Sequence, residues 1–160
     1  MPAVSTFTHS CLVMQGFSRA SVEARPGLAM TLRFTPAVCA TLALAGLLLG
    51  SPVWLAGMAV VALIGVLLPS GHPIDLLFNH GVRHLVGAEP LPPNPAPRRF
   101  ACGVGLVMLS SAALAFATGH PVLAWALGGF LVVVAAFNTL TNWCLASWFY
   151  GLMFKRTQLA

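Results

Sequence analysis

Charge is absent from two long stretches of this chain, and that absence restricts its possible folds more than any other feature. No Asp, Glu, Lys or Arg occurs from Phe34 to Ile74, 41 residues, or from Ala101 to Phe154, 54 residues. With about 1.5 Å of rise per helical residue and a hydrocarbon core about 30 Å thick, the first stretch is about 60 Å of helix, enough for two crossings. The second is about 81 Å, two crossings with roughly 20 Å left over. Backbone polar groups in lipid must be satisfied within their own segment, so the expected structure is helical; the alternating segments of a membrane barrel are not visible. Charged residues are 7% of the chain, where a soluble domain carries roughly 25%. That is too few to solvate a surface, and the 58% apolar content excludes disorder over most of the length. The net charge is +5, but the cations sit in short clusters between apolar blocks. This is the pattern of membrane orientation signals, not of a nucleic-acid binder.

Each stretch has one turn signal near its middle: Gly50-Ser51-Pro52-Val53 and Gly119-His120-Pro121-Val122. Gly ends a helix readily and Pro opens the next. The expected fold is therefore an all-α integral membrane protein of four transmembrane helices, about Phe34–Gly50, Val53–Pro69, Ala101–Thr118 and Val122–Asn142. They form two helical hairpins related by a weak internal repeat, since both hairpins share G-x-P-V and open with Arg-Phe (Arg33-Phe34, Arg99-Phe100). Four spans put the N-terminus, the central loop and the C-terminus on one side, and all eight Lys and Arg fall there. By the positive-inside rule that side is the cytoplasm.

The segments outside the spans divide accordingly. Residues 1–33 lack a secretory h-region and read as a loose, partly disordered cytoplasmic arm with at most a short surface helix; Met30-Thr31-Leu32-Arg33 is an alternative start, which a sequenced N-terminus would settle. After the first hairpin (34–69), residues 70–99 hold an interfacial helix and a strap. Ile74, Leu77, Phe78, Val82 and Leu85 mark the apolar face of the helix, leaving Asp75, Asn79, Arg83 and His84 elsewhere. Glu89 to Pro97 contains five prolines and reads as an extended spacer. The second hairpin with an interfacial end (100–154) and a basic tail (155–160) complete the chain.

Few residues are equipped for chemistry. Of four cysteines, Cys39, Cys102 and Cys144 fall near cytoplasmic ends of spans, where a structural disulfide is not expected. Cys144 and Ser147 form C-x-x-S; three apart on a helix, Ser147 can donate to a Cys144 thiolate, or Cys144 is simply a small apolar residue in a packed helix. Asn138 and Asn142, four apart, either bond neighbouring helices or line a small polar cavity. His80 and His84 have the i, i+4 spacing of a metal pair, but Gly81 weakens that helix and no Cys or Glu completes a known pattern, so both read as solvated at the interface and only weakly as ligands. No ionisable group lies deep in a span, which argues against a proton-coupled carrier. Gly103 and Gly105 lack the strand and third Gly of a dinucleotide fingerprint. Gly46-x-x-x-Gly50 and Ala101-x-x-x-Gly105 instead fit close helix packing. No phosphate loop, nucleophile elbow, zinc-protease motif or carboxylate pair is present, and no cofactor is expected.

Pro97-Arg98-Arg99-Phe100-Ala101-Cys102-Gly103-Val104-Gly105, followed by a hairpin and Trp143-Cys144-Leu145-Ala146-Ser147-Trp148-Phe149-Tyr150-Gly151-Leu152, resembles the bacterial family named domain of unknown function 4395 over about Phe34 to Phe154. The resemblance implies a P-[KR]-R-F-A-x-G-x-G motif at Arg98, Arg99, Phe100, Gly103 and Gly105. It also implies a C-x-x-C in the last helix, whose first thiol falls on Cys144 and whose second is replaced here by Ser147. The resemblance further implies a gene near those of thioredoxin-like and sulfurtransferase-like proteins, and with it thiol or sulfur chemistry and a partner of that kind. Cys102 is then the candidate replacement for the missing thiol, if the two helices lie side by side. Three functions follow as expectations: cytoplasm-facing thiol or sulfur redox chemistry through Cys144; a non-catalytic subunit or scaffold, as a homo-oligomer or within a membrane complex; and a small-solute transporter or channel component.

Overall fold

The computed structural model describes residues 6–25 and 27–154; the basic tail with Lys155 and Arg156 lies outside them. All regular structure among the described residues is helical: α1 (Thr6–Met14), α2 (Arg19–Ala24), α3 (Leu28–Thr31), α4 (Phe34–Leu48), α5 (Pro52–Leu67), α6 (Pro73–Leu77), a π turn (Phe78–Val82), α7 (Arg83–Val86), α8 (Ala96–Ala117), α9 (Pro121–Thr141) and α10 (Leu145–Phe154). Three stretches are long and apolar enough to cross a membrane: Leu28–Leu48, Ala96–Ala117 and Pro121–Thr141. The helix expected as the second span, α5, has 16 residues. That is about 24 Å, short of a hydrocarbon core of about 30 Å.

Both tight turns form as their residues dictate. Gly50 (φ 56°) and Gly119 (φ 77°) take the left-handed conformation that an L side chain resists. Pro52 and Pro121 then open α5 and α9, where a missing N–H costs nothing. Ser51 caps α5, its Oγ accepting from the Trp54 N–H at 3.2 Å.

The four long helices do not pack chiefly within their hairpins. The closest pairings run between hairpins, α5 along α8 and α4 along α9, with α8 and α9 also adjacent. Their common core is built from small residues, among them Ala43, Ala59, Ala112, Ala113 and Ala124, interleaved with Leu47, Leu55, Met58 and Leu109. Small side chains let helices approach closely where lipid supplies no hydrophobic drive. At Gly46 a Cβ would lie 2.5 Å from Trp54 Cδ1 and 2.8 Å from Leu55 Cδ2, so that position is a true close approach. Gly105 is not: nothing lies within 4 Å of a Cβ there, because that face of α8 borders a cavity. Outward faces stay apolar and uncovered, as at Val60, Leu63, Val107, Leu114, Phe130 and Val133. A solvated monomer does not expose apolar surface on this scale.

The arm differs from its expected loose form. Leu12, Phe17, Val22, Leu28 and Leu32 build a second core with Phe78 and Leu91, and α1 also touches α10. Gly16 is seated so tightly that a Cβ would meet Pro95 Cβ at 2.7 Å. The apolar residues are too widely spaced to show helical periodicity, yet they close over one tertiary surface. That surface is not the whole stripe expected for residues 73–86: Ile74 and Phe78 are buried, whereas Leu77 and Leu85 are exposed. Asp75, expected on the solvated side, is buried instead, because its carboxylate finds buried donors in Thr35 and Asn94.

Candidate functional site

Where the turns are absent, the helix ends are tied by polar side chains. Asp75 lies at the start of α6, after His72 and Pro73 have turned the chain. Its carboxylate accepts from the Thr35 hydroxyl at the start of α4 and from Asn94 Nδ2 (2.5 Å) in the strap. The Asn94 N–H donates to the Pro69 carbonyl at 2.7 Å. The Leu91 N–H donates to Asn79 Oδ1 (2.7 Å), and Asn79 Nδ2 donates back to the Leu91 carbonyl (3.2 Å). The strap is thus docked along the protein at Leu91 and Asn94, both buried.

The Arg-Arg pair divides its labour. α8 begins at Ala96, so both arginines lie in its first turn. Arg99 donates from Nε (2.8 Å) and Nη2 (2.6 Å) to the Val66 carbonyl, satisfying an acceptor in the last turn of α5 and setting a cation against that helix end. Arg98 instead lies over the Phe17 ring, 5.8 Å from its centroid, and lines a cavity.

That cavity, about 460 Å³, is walled by α4, α5, α8, α9 and α10 at the strap end of the bundle. Cys39 from α4, Cys102 from α8 and Cys144 from the loop before α10 all line it, with His72, Arg98 and Asn138. Gln15 of the arm also reaches it while Gln15 Nε2 donates to the Asn142 carbonyl at 2.6 Å. All four cysteines are free, and Cys102 lies within electrostatic reach of both Cys39 and Cys144. Cys11 lies apart, buried in the arm, where burial pushes its thiol up and keeps it protonated. His72 is 3% exposed, its Nδ1 is buried with no hydrogen-bond partner, and burial holds its imidazole below the ordinary range against the opposing pull of Asp75.

Several expected placements change. α9 ends at Asn142, which takes φ 58°, so Cys144 stands between two helices instead of inside one. Ser147, fully buried, donates to the Pro97 carbonyl at 3.3 Å and not to Cys144. Asn138 lines the cavity but Asn142 does not. With its amide turned to satisfy both neighbours, Asn142 donates to the Ala29 carbonyl and accepts from Arg33 Nε, each at 3.0 Å. The left-handed turn at Asn142 breaks the i, i+4 relation on which a shared face depends. His80 Nδ1 meets the Leu76 carbonyl (3.0 Å), and neither His80 nor His84 joins a metal-holding cluster among the described residues. Of the motif residues, Phe100 lines the cavity and packs on Tyr150, ring centroids 5.6 Å apart. Gly103 lies against Val66, and Gly105 opens the cavity wall.

Sequence reasoning missed Thr35, His72, Asn94 and Gln15 as site residues. The available signal was Asp75, the single carboxylate between Glu23 and Glu89, set beside a His-Pro where a helix begins.

No curated protein and no solved structure matches the chain. Residues 29–155, which include the whole cavity wall apart from Gln15, match the family model described as Domain of unknown function (DUF4395). The chain belongs to that family.

Proposed function

We propose that this is a four-span protein of the bacterial inner membrane that carries out thiol–sulfur exchange in a cavity facing the cytoplasm, with Cys144 and Cys102 as the exchanging pair. The observation that carries the reading is the convergence of three free thiols from separate elements on one cavity. In the exchange, a thiolate attacks one sulfur of a substrate disulfide or persulfide. The S–S bond breaks, the outer sulfur leaves with the bonding pair, and a mixed disulfide forms on the protein. The second thiolate attacks that mixed disulfide, releases the remaining substrate thiolate and closes a Cys102–Cys144 disulfide. A thioredoxin-like dithiol partner then returns two electrons.

The orientation rests on charge. Arg25, Arg33, Arg83, Arg98 and Arg99 all flank the strap end, and the two turns carry none. For α5 to cross, its uncharged flanks at Gly50–Ser51 and Leu68–Gly71 must lie within the bilayer interface, which needs no charge to enter lipid. The test is capture of mixed disulfides in membranes from cells carrying the native chain or Cys144→Ala. The native chain yields a covalent adduct with a dithiol protein, and the variant loses it. Equal capture from both removes the reading. The hydrogen bond that commits Ser147 to Pro97 favours a second reading, a non-catalytic subunit. In that case a stoichiometric, non-covalent partner co-purifies in mild detergent.

A further inference from the structure

One wall of the cavity holds two groups that the thiol exchange above leaves unassigned. A Cβ built on Gly65 would lie 3.2 Å from His72 Nε2 and 3.1 Å from Cys102 Sγ. The imidazole edge and the thiol therefore flank one point above a residue that lacks a side chain. The opposite ring nitrogen, Nδ1, is buried and unpartnered, and the ring is neutral because burial disfavours its charged form. A neutral imidazole beside a thiol is the arrangement that draws a proton from sulfur. No hydrogen bond joins the two in the structure, and catalytic hydrogen bonds of this kind often form only with substrate bound. The groups facing His72 are Asp75 from α6 and Arg98 and Cys102 from α8. Arg98 is the one cation among the cavity's described lining residues, no carboxylate lines it, and Arg98 makes no ion pair among the described residues. The remaining wall is mostly apolar, with Ala40, Ala43, Met58, Leu109 and Leu131.

We propose that the cavity binds a small disulfide bearing an anionic group, that Cys102 is the thiol that attacks it, and that His72 takes the proton while Arg98 holds the anion. This deepens the thiol reading and rests on it. The proton on Cys102 passes to His72 Nε2. The Cys102 sulfur bonds to one substrate sulfur as the S–S bond breaks, and the other half leaves as a thiolate carrying the bonding pair. No electrons beyond those of the thiol and the disulfide are needed.

The test uses the purified full chain in lipid nanodiscs and two chromogenic disulfides. Dithiobis-nitrobenzoate carries a carboxylate on each ring; dithiodipyridine carries none. The native chain is expected to release nitrothiobenzoate in a fast phase, with a preference over dithiodipyridine that a free small thiol does not show. Arg98→Gln lowers that preference by about tenfold, the effect of one charge-assisted contact, and Arg98→Lys keeps most of it. Cys102→Ser removes the fast phase, whereas Cys144→Ser keeps its first release of nitrothiobenzoate and loses the second, which follows when Cys144 attacks the mixed disulfide. The native fast phase rises with pH through the His72 titration, a readout that needs no variant, and His72→Gln abolishes that inflection. A fast phase that survives Cys102→Ser and disappears in Cys144→Ser overturns the assignment of the attacking thiol but leaves thiol exchange standing. An unchanged preference in Arg98→Gln overturns the anion site. If no thiol of the folded chain reacts while all four react in denaturant, thiol exchange itself falls, and the inference with it.

Discussion

The two ends of the helix bundle are held by different kinds of bond. At the turn end, side-chain hydrogen bonds stay local: Ser51 to Trp54, Thr118 to Leu114, and at the longest Trp54 Nε1 to the Leu42 carbonyl, 12 residues away. At the strap end they join distant segments: Arg99 to Val66 over 33 residues, Thr35 to Asp75 over 40, Ser147 to Pro97 over 50 and Gln15 to Asn142 over 127. The turn end is a pair of self-contained hairpin corners. The strap end is cross-tied, and the cavity with its three thiols lies there. Polar groups that cannot be satisfied within one helix need partners from others when buried, and those partners carry the walls of a site with them.

The contrast predicts unequal sensitivity to substitution. Asp75→Ala leaves Thr35 and Asn94 buried without their acceptor and removes hydrogen bonds to a charged group, each worth about 1.5–3 kcal/mol. The largest drop in melting temperature in detergent is expected there, and a drop no greater than that of a turn-end variant would erase the distinction between the ends. Gly65→Ala drives a Cβ to 2.3 Å from the His72 ring, overpacking that costs about 1–3 kcal/mol. Gly105→Ala, with open space around it, is expected within about 0.5 kcal/mol of the native chain; an equal loss from both substitutions in the same melting assay contradicts the cavity's position. Ser51→Ala removes a single cap and costs about 1 kcal/mol, with no effect on thiol reactivity at the far end. The smallest effect is graded with pH. The folded imidazole of His72 titrates below its unfolded value, so its stabilising contribution is complete above about pH 6.5 and is lost as pH falls through the folded value. Melting temperature should decline on acidification, less steeply in His72→Gln; identical slopes would show that His72 is not the group responsible.

Local grammar was legible in the residues. Gly50 and Pro52, Gly119 and Pro121 mark the turns, and the charge-free stretches mark the long helices, since backbone conformation and side-chain hydration are set within a few positions. The arm was not legible. Leu12, Phe17 and Val22 show no helical stripe, and they are buried in a core that Phe78 and Leu91 complete. Of the site, the sequence pointed to Cys102 and Cys144. Of the two readings of C-x-x-S, a hydrogen bond from Ser147 to Cys144 needs one helix through both, and α10 begins after Cys144 while Ser147 donates to the Pro97 carbonyl. Arg98 was marked only as a residue of the motif shared with the family, and His72 carried no signal beyond its chemistry.

The amino-acid sequence by itself determined that this chain is helical and apolar, where its corners fall, and on which flank its cations lie. Those are properties of single residues and of neighbours a turn apart. Which helices pair, which acid is buried, and which thiols share a cavity were decided only in the tertiary structure. Each depends on contacts between segments separated by tens of residues, fixed by small side chains at close helix approaches and by buried polar groups seeking partners.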